Sequence, residues 1–72
     1  MGTLSLDYVR RYYGVPARRG MRVTCDGKPG TLTTGDGAHI RVRLDGEKHS
    51  GKYHPTWRVT YHTPEGDVTY GD

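Results

Sequence analysis

The chain has 72 residues and a formal net charge of +3, with 32% hydrophobic residues, six Tyr, one Trp and no Phe. Domains typically run about 50–250 residues, so we expect a single domain over 1–72. Eleven Gly and four Pro predict many tight turns rather than a helical bundle. No apolar run reaches the roughly 20 residues of a membrane helix or forms a signal-peptide core, so we expect a cytoplasmic protein without a membrane partner.

The positive charge is concentrated in the N-terminal third of the sequence. Residues 1–22 contain five Arg and a single acidic residue, Asp7, whereas the rest of the chain is nearly balanced. The planar guanidinium group suits phosphate, and a basic balance favours polyanionic partners. The alternative is a solvated surface with a slight positive bias.

Residues 4–13 predict a short N-terminal helix. Ser5 is a suitable cap, and Leu6, Val9 and Tyr13 form one apolar stripe at helical spacing. Gly14 is suited to end the helix in the left-handed conformation.

From residue 20 onward the apolar residues alternate, which is typical of half-buried strands. We predict strands over 21–25, 31–34, 40–44, 57–61 and 68–70, a polar loop over 45–52, and a single tight turn at 54–56. The fold class that fits is a mainly β protein: a small five-stranded SH3-like barrel over 20–70 with the helix outside it. A two-layer arrangement, with the helix across an open sheet, satisfies the same pattern.

The alternation assigns a face to each strand residue. The predicted interior consists of Val23, Cys25, Leu32, Ile40, Val42, Leu44, Trp57 and Val59. The predicted outward cations are Arg22, Arg41, Arg43 and Arg58.

The segment 19–33 resembles the KOW motif of ribosomal and transcription-elongation proteins. Gly20, Lys28 and Gly30 stand at the matching positions, and 40–44 corresponds to the following strand. The longer segment 16–61 is similar to small proteins of actinobacteria and their phages. The KOW resemblance implies a KOW-like barrel and RNA as one partner, whereas the second resemblance implies no particular activity.

The remaining side chains do not predict catalysis. Cys25 falls on the inward face of its strand, where Cys behaves as a small buried hydrophobe. The spacings from Cys25 through the four His match no compact metal-ligand pattern, and the acidic residues mostly sit beside Gly in turns. We therefore expect no enzyme, no metal and no cofactor.

Six Tyr offer ring faces for stacking on bases or, alternatively, replace Phe as large core residues. We assign Tyr13 and Tyr61 to the core and leave Tyr12 and Tyr53 open.

The sequence thus predicts a small accessory protein that binds DNA or RNA mainly through contacts of cations with phosphates. The candidate binding residues are Arg18, Arg19, Arg22, Lys28, Arg41, Arg43 and Arg58. The alternative is a protein–protein interaction module without a nucleic-acid role. The oligomeric state and any base preference are left open by the sequence.

Overall fold

A computed structural model describes residues 6–71. The helix among these residues, α1, spans Leu6–Tyr13 and confirms the predicted helix from residue 6 onward, whereas Leu4 and the predicted cap Ser5 lie outside the described residues. Asp7 in the first turn and two Arg in the last turn complement the helix dipole. Gly14 follows with a φ of 68°, and its N–H donates to the carbonyl of Arg10 at 2.9 Å, which ends the helix as predicted.

The strands that follow α1 in the described chain form one antiparallel sheet. Its strands are β1 (Arg22–Cys25), β2 (Lys28–Asp36), β3 (His39–Leu44), β4 (Gly51–Tyr53), β5 (Val59–Thr63) and β6 (Gly66–Tyr70). Their order across the sheet is β4-β3-β2-β1-β5-β6. The protein is therefore mainly β with one short N-terminal helix.

The sheet differs from the prediction in strand number and length. It has six strands rather than five, because 51–53 pairs with β3 where a polar loop was expected. β2 extends beyond the predicted 31–34, and its register shifts between Leu32 and Thr34, which marks a β-bulge. β4 and β6 form the two ends of the sheet order, so among residues 6–71 the strands form an open antiparallel sheet.

The core lies between α1 and one face of the sheet. Its buried side chains are Leu6, Val9, Val15, Ala17, Val23, Cys25, Leu32, Ile40, Val42, Val59 and Tyr61. The burial of Cys25 and Tyr61 confirms the prediction, and Tyr13, Leu44 and Tyr53 pack against this core as partly buried residues. The Tyr61 hydroxyl donates to the carbonyl of Pro55 at 2.7 Å, so the one large buried phenol is satisfied.

Trp57 was predicted in the core, and this prediction is wrong. Its side chain is 56% exposed because it lies in the tight turn before β5, where its N–H donates to the carbonyl of His54 at 3.3 Å. Arg58 follows with a φ of 52°, which turns the chain into β5. The Arg58 guanidinium stands 5.6 Å from the centre of the indole ring and covers part of it.

Candidate nucleic-acid interface

Strand pairing places two of the predicted binding residues in one row across the outer face of the sheet. Arg22 on β1 lies opposite Thr31 on β2, and Thr31 lies opposite Arg43 on β3. The Arg22 guanidinium donates to the Thr31 hydroxyl at 3.0 Å. The two arginines are thus separated by one strand, about 10 Å apart at the backbone.

A second row lies beside the first. Thr34 on β2 is paired with Arg41 on β3, and Arg41 is paired with Lys52 on β4. Arg19 reaches this row from the segment before β1, with its guanidinium 3.4 Å from the Thr34 hydroxyl. Arg41 and Arg43 are two residues apart on one strand, so both point outward.

We call this surface the basic face. It consists of Arg19, Arg22, Arg41, Arg43 and Lys52, together with two carboxylates, Asp36 and Asp45. Four of the seven predicted binding residues are brought together here. The excess of three positive charges on the basic face equals the formal net charge of the whole chain.

Both carboxylates are engaged by cations of the basic face. Asp45 accepts two hydrogen bonds from Arg22, at 2.9 and 2.6 Å. These bonds hold the pKa of Asp45 below its ordinary value, with a further lowering by the nearby charge of Arg43. The same bonds raise the pKa of Arg22, so this pair stays ionised at neutral pH.

Arg41 is held by its surroundings more firmly than the other cations. Its guanidinium donates to Asp36 at 3.0 Å, to the Ser50 hydroxyl at 3.1 Å and to the Ser50 carbonyl at 2.9 Å. Lys52 also approaches Asp36, at 3.9 Å. Arg41 therefore fixes the loop before β4 in addition to contributing charge.

Arg43 is the most available cation of the basic face. Its side chain is exposed, and within residues 6–71 that side chain forms no hydrogen bond or salt bridge, in contrast to Arg22 and Arg41, although its charge acts on nearby Asp45. A guanidinium in this state binds a phosphate oxygen without first releasing a carboxylate. Arg43 is thus the central candidate for anion contact.

Three of the predicted binding residues lie away from the basic face. Arg18 lines a cleft beside the β5–β6 turn, and Lys28 begins β2 at the far end of the β1–β2 hairpin, opposite Cys25. Arg58 forms an ion pair with Asp26 at 2.9 Å. The structure therefore divides the predicted set into a cluster of four and three separate residues.

Sequence reasoning missed Lys52, because it fell in a segment expected to be a loop. Only the pairing of β4 with β3 identifies 51–53 as a strand, because three residues are too few to show an alternating pattern. Asp36 and Asp45 had been explained as turn residues, and no sequence signal linked Asp45 to Arg22 across 23 positions.

The other reactive side chains form no second cluster of this kind. Burial raises the pKa of the Cys25 thiol to about 11, so at neutral pH it is protonated as well as enclosed. His62 bridges the Thr24 hydroxyl at 2.8 Å and the Asp67 carboxylate at 2.9 Å, a relay that ties β6 to the central strand β1. Within residues 6–71 no group of three or more His, Cys, Asp or Glu is arranged to hold a metal ion.

No helix among the described residues is long and apolar enough to cross a membrane. Comparisons of the chain with protein-family models, with curated proteins and with solved structures found no match. The candidate function therefore rests on the geometry of the basic face.

Proposed function

We propose that this chain is a small nucleic-acid-binding domain, in which the basic face contacts the phosphate backbone. The observation that carries the proposal is the convergence of five cations on one face of one sheet. Most hydrogen bonds in protein–nucleic acid complexes go to phosphate and sugar, and these contacts position the protein without reading sequence. A rigid sheet supports such contacts because it fixes the spacing of its side chains.

The threonines of the basic face support the same role. Thr31 and Thr34 each accept a hydrogen bond from an arginine of the face, which orders the guanidinium groups before any ligand arrives. Preorganised side chains lose less conformational entropy on binding. Both hydroxyls also have a proton to donate to a phosphate oxygen.

We further propose that the sheet is an SH3-like, KOW-like barrel. The central position of β1 between β2 and β5, the meander of β2, β3 and β4, and the tight turn before β5 support this assignment. Amide hydrogen exchange tests closure, because a closed barrel protects the β4 and β6 amides that an open sheet leaves exposed to solvent.

The salt dependence of binding tests the proposed function. Polarisation titrations use labelled single-stranded DNA, duplex DNA and RNA at several salt concentrations. With five cations and two carboxylates on the basic face, we expect log affinity to fall with log salt at a slope of roughly −2 to −4. Arg43→Ala should weaken all three nucleic acids and make the slope shallower by about one.

Lys28→Ala is the matched control, because it removes one exposed cation outside the basic face. It should change neither the affinity nor the slope by more than a small fraction of the Arg43→Ala effect. Absence of binding at low salt, or equal effects of the two variants, would contradict the proposal.

A cleft beside the β5–β6 turn supports the second candidate, a protein–protein interaction module. The cleft has a volume of about 410 Å³, and its lining includes Pro16, Met21, Pro64 and Val68. Arg18 and Glu65 also line it, which gives it a mixed charge that suits a peptide better than a polyanion. If Met21→Asp abolishes capture of a protein partner while Arg43→Ala does not, this second function takes precedence.

A further inference from the structure

A line of aromatic rings covers α1 and continues onto the sheet. We call it the aromatic strip, and its members are Tyr8, Tyr12, Tyr13, His54 and His39. On the helix, the rings of Tyr8 and Tyr12 are nearly parallel, with an interplanar angle of 10° and centroids 5.7 Å apart. This stack follows from their spacing of four residues, which places them on the same side of the helix.

The aromatic strip is continuous from α1 to the basic face. The Tyr12 ring meets Tyr13 edge-on at 4.9 Å, Tyr13 meets His54 at 5.0 Å, and His54 meets His39 at 5.8 Å. His39 begins β3 two residues before Arg41, and therefore lies on the same face of that strand. One end of the aromatic strip thus joins the basic face.

Contacts within the fold explain the positions of Tyr13 and His54, but not those of Tyr8 and Tyr12. Tyr13 packs against the core, and His54 accepts a hydrogen bond from the Thr56 N–H at 3.1 Å. Tyr8 and Tyr12 are 38% and 67% exposed, and among residues 6–71 their hydroxyls have no hydrogen-bond partner. Two large ring faces in water contribute little to folding, so their arrangement points to a ligand with flat apolar faces.

We infer that the aromatic strip is a platform on which the bases of a single-stranded nucleic acid stack while its phosphates lie on the basic face. This inference rests on the proposed function and adds that the protein selects single strands over duplexes. Unpaired bases expose faces that stack on Tyr, whereas a duplex has already stacked them on one another. The adjoining positive charge makes a polyanion the fitting occupant of this exposed aromatic surface.

The test compares two substitutions on the full chain. Labelled oligonucleotides of about 12 residues, single-stranded DNA, single-stranded RNA and duplex DNA, cover the usual length of such sites. Tyr12→Leu should weaken single-strand binding by roughly 5- to 150-fold, since stacking of one base contributes about 1–3 kcal/mol. Duplex binding and the salt slope should remain unchanged, because the cations are intact. Tyr12→Phe should retain single-strand binding, since the ring face remains.

Trp57→Leu is the matched control, because it removes an exposed aromatic ring outside the aromatic strip and should leave single-strand binding unchanged. Thermal melting checks that the exposed Tyr12 site tolerates Leu. Equal affinity for single strands and duplexes would overturn the inference while the proposed function stands. So would single-strand binding that is indifferent to Tyr12→Leu. Absence of binding to every oligonucleotide would overturn both.

Discussion

Arg22 on β1 and Asp45 after β3 are joined by two parallel hydrogen bonds across 23 residues of sequence. The side chains of both are about half exposed, so the pair lies at the surface, where its contribution to folding is small. Under the proposed function, its greater effect would be on phosphate binding, because Asp45 occupies two donor groups of Arg22 that a phosphate could otherwise take. The basic face therefore carries its own competing anions.

Removing that competition should strengthen nucleic-acid binding. In Asp45→Asn the carboxylate charge is lost and the Arg22 guanidinium is released, so we expect affinity to rise by roughly three- to tenfold at low salt and the salt slope to steepen by about one. Polarisation titrations measure both quantities. Asp67→Asn is the control, because it changes the net charge equally at a site beside His62. Unchanged or weaker binding by Asp45→Asn would exclude Arg22 from the interface.

Leu6→Ala should destabilise the protein by about 2–3 kcal/mol, because the Leu6 side chain is only 7% exposed and belongs to the core. Urea unfolding measures the loss. Arg11→Ala, at an exposed position of the same helix, should change the free energy of unfolding by less than about 0.5 kcal/mol. If deleting residues 1–13 leaves the melting temperature unchanged, the helix does not contribute to the core.

Gly30→Ala should be strongly destabilising although Gly30 has an ordinary strand conformation. An added Cβ would lie 2.8 Å from the Arg43 carbonyl oxygen and 2.9 Å from a methyl group of Val42, so β2 and β3 would have to separate. We expect a loss of about 1–3 kcal/mol by chemical unfolding. Gly51→Ala is the comparison, because the atoms nearest to its added Cβ belong to the Tyr53 side chain, at 3.3 Å and beyond, rather than to the backbone of a paired strand. Equal losses in the two variants would contradict this account.

Stability should decline at alkaline pH in two steps. Burial raises the pKa of the Cys25 thiol to about 11, whereas an unfolded thiol ionises near 8.5. The protonated, buried thiol therefore contributes its full stabilisation of the folded state below pH about 8.5, and this contribution is lost as pH rises toward 11. Burial also raises the pKa of Tyr61, so a second loss begins near the ordinary tyrosine value of about 10.

Cys25→Ala separates these steps. Its urea midpoint, although lower at neutral pH because of the cavity, should stay level until pH about 10. A decline of Cys25→Ala that begins at the same pH as in the natural chain would assign the first step to another group. Rapid labelling of the native thiol at pH 7 would contradict the burial itself.

The sequence predicted those elements in which the apolar pattern runs over enough residues to show which side chains face the core. Ile40 and Val42 alternate with Arg41 and Arg43, and that alternation correctly placed both arginines outside. The stripe on α1 likewise placed Val9 in the core. In each case the period alone distinguishes buried from exposed positions.

Features that depend on contacts between distant segments could not be predicted in this way. β4 is a strand because Gly51 and Tyr53 pair with β3, and nothing in its own three residues requires this. Trp57 was assigned to the interior, yet its side chain is exposed in the turn before β5, and Tyr61 is the large aromatic residue of the core, with its hydroxyl bonded to the carbonyl of Pro55. The stack of Tyr8 on Tyr12 follows from helical spacing, whereas the contact between His39 and His54 requires the paired strands.

The position of β1 in the middle of the sheet has a consequence for how the chain reaches its native state. β1 pairs with β2, a few residues away, but its other edge is completed only by Val59–Thr63. During synthesis, the hairpins of β1, β2 and β3 can form early, while one edge of the central strand stays open until β5 has emerged. Such distant pairing slows folding relative to local hairpins. We therefore expect the antiparallel strands β1, β2 and β3 to form first, and the pairing of β5 with β1 to be the later step that completes the core.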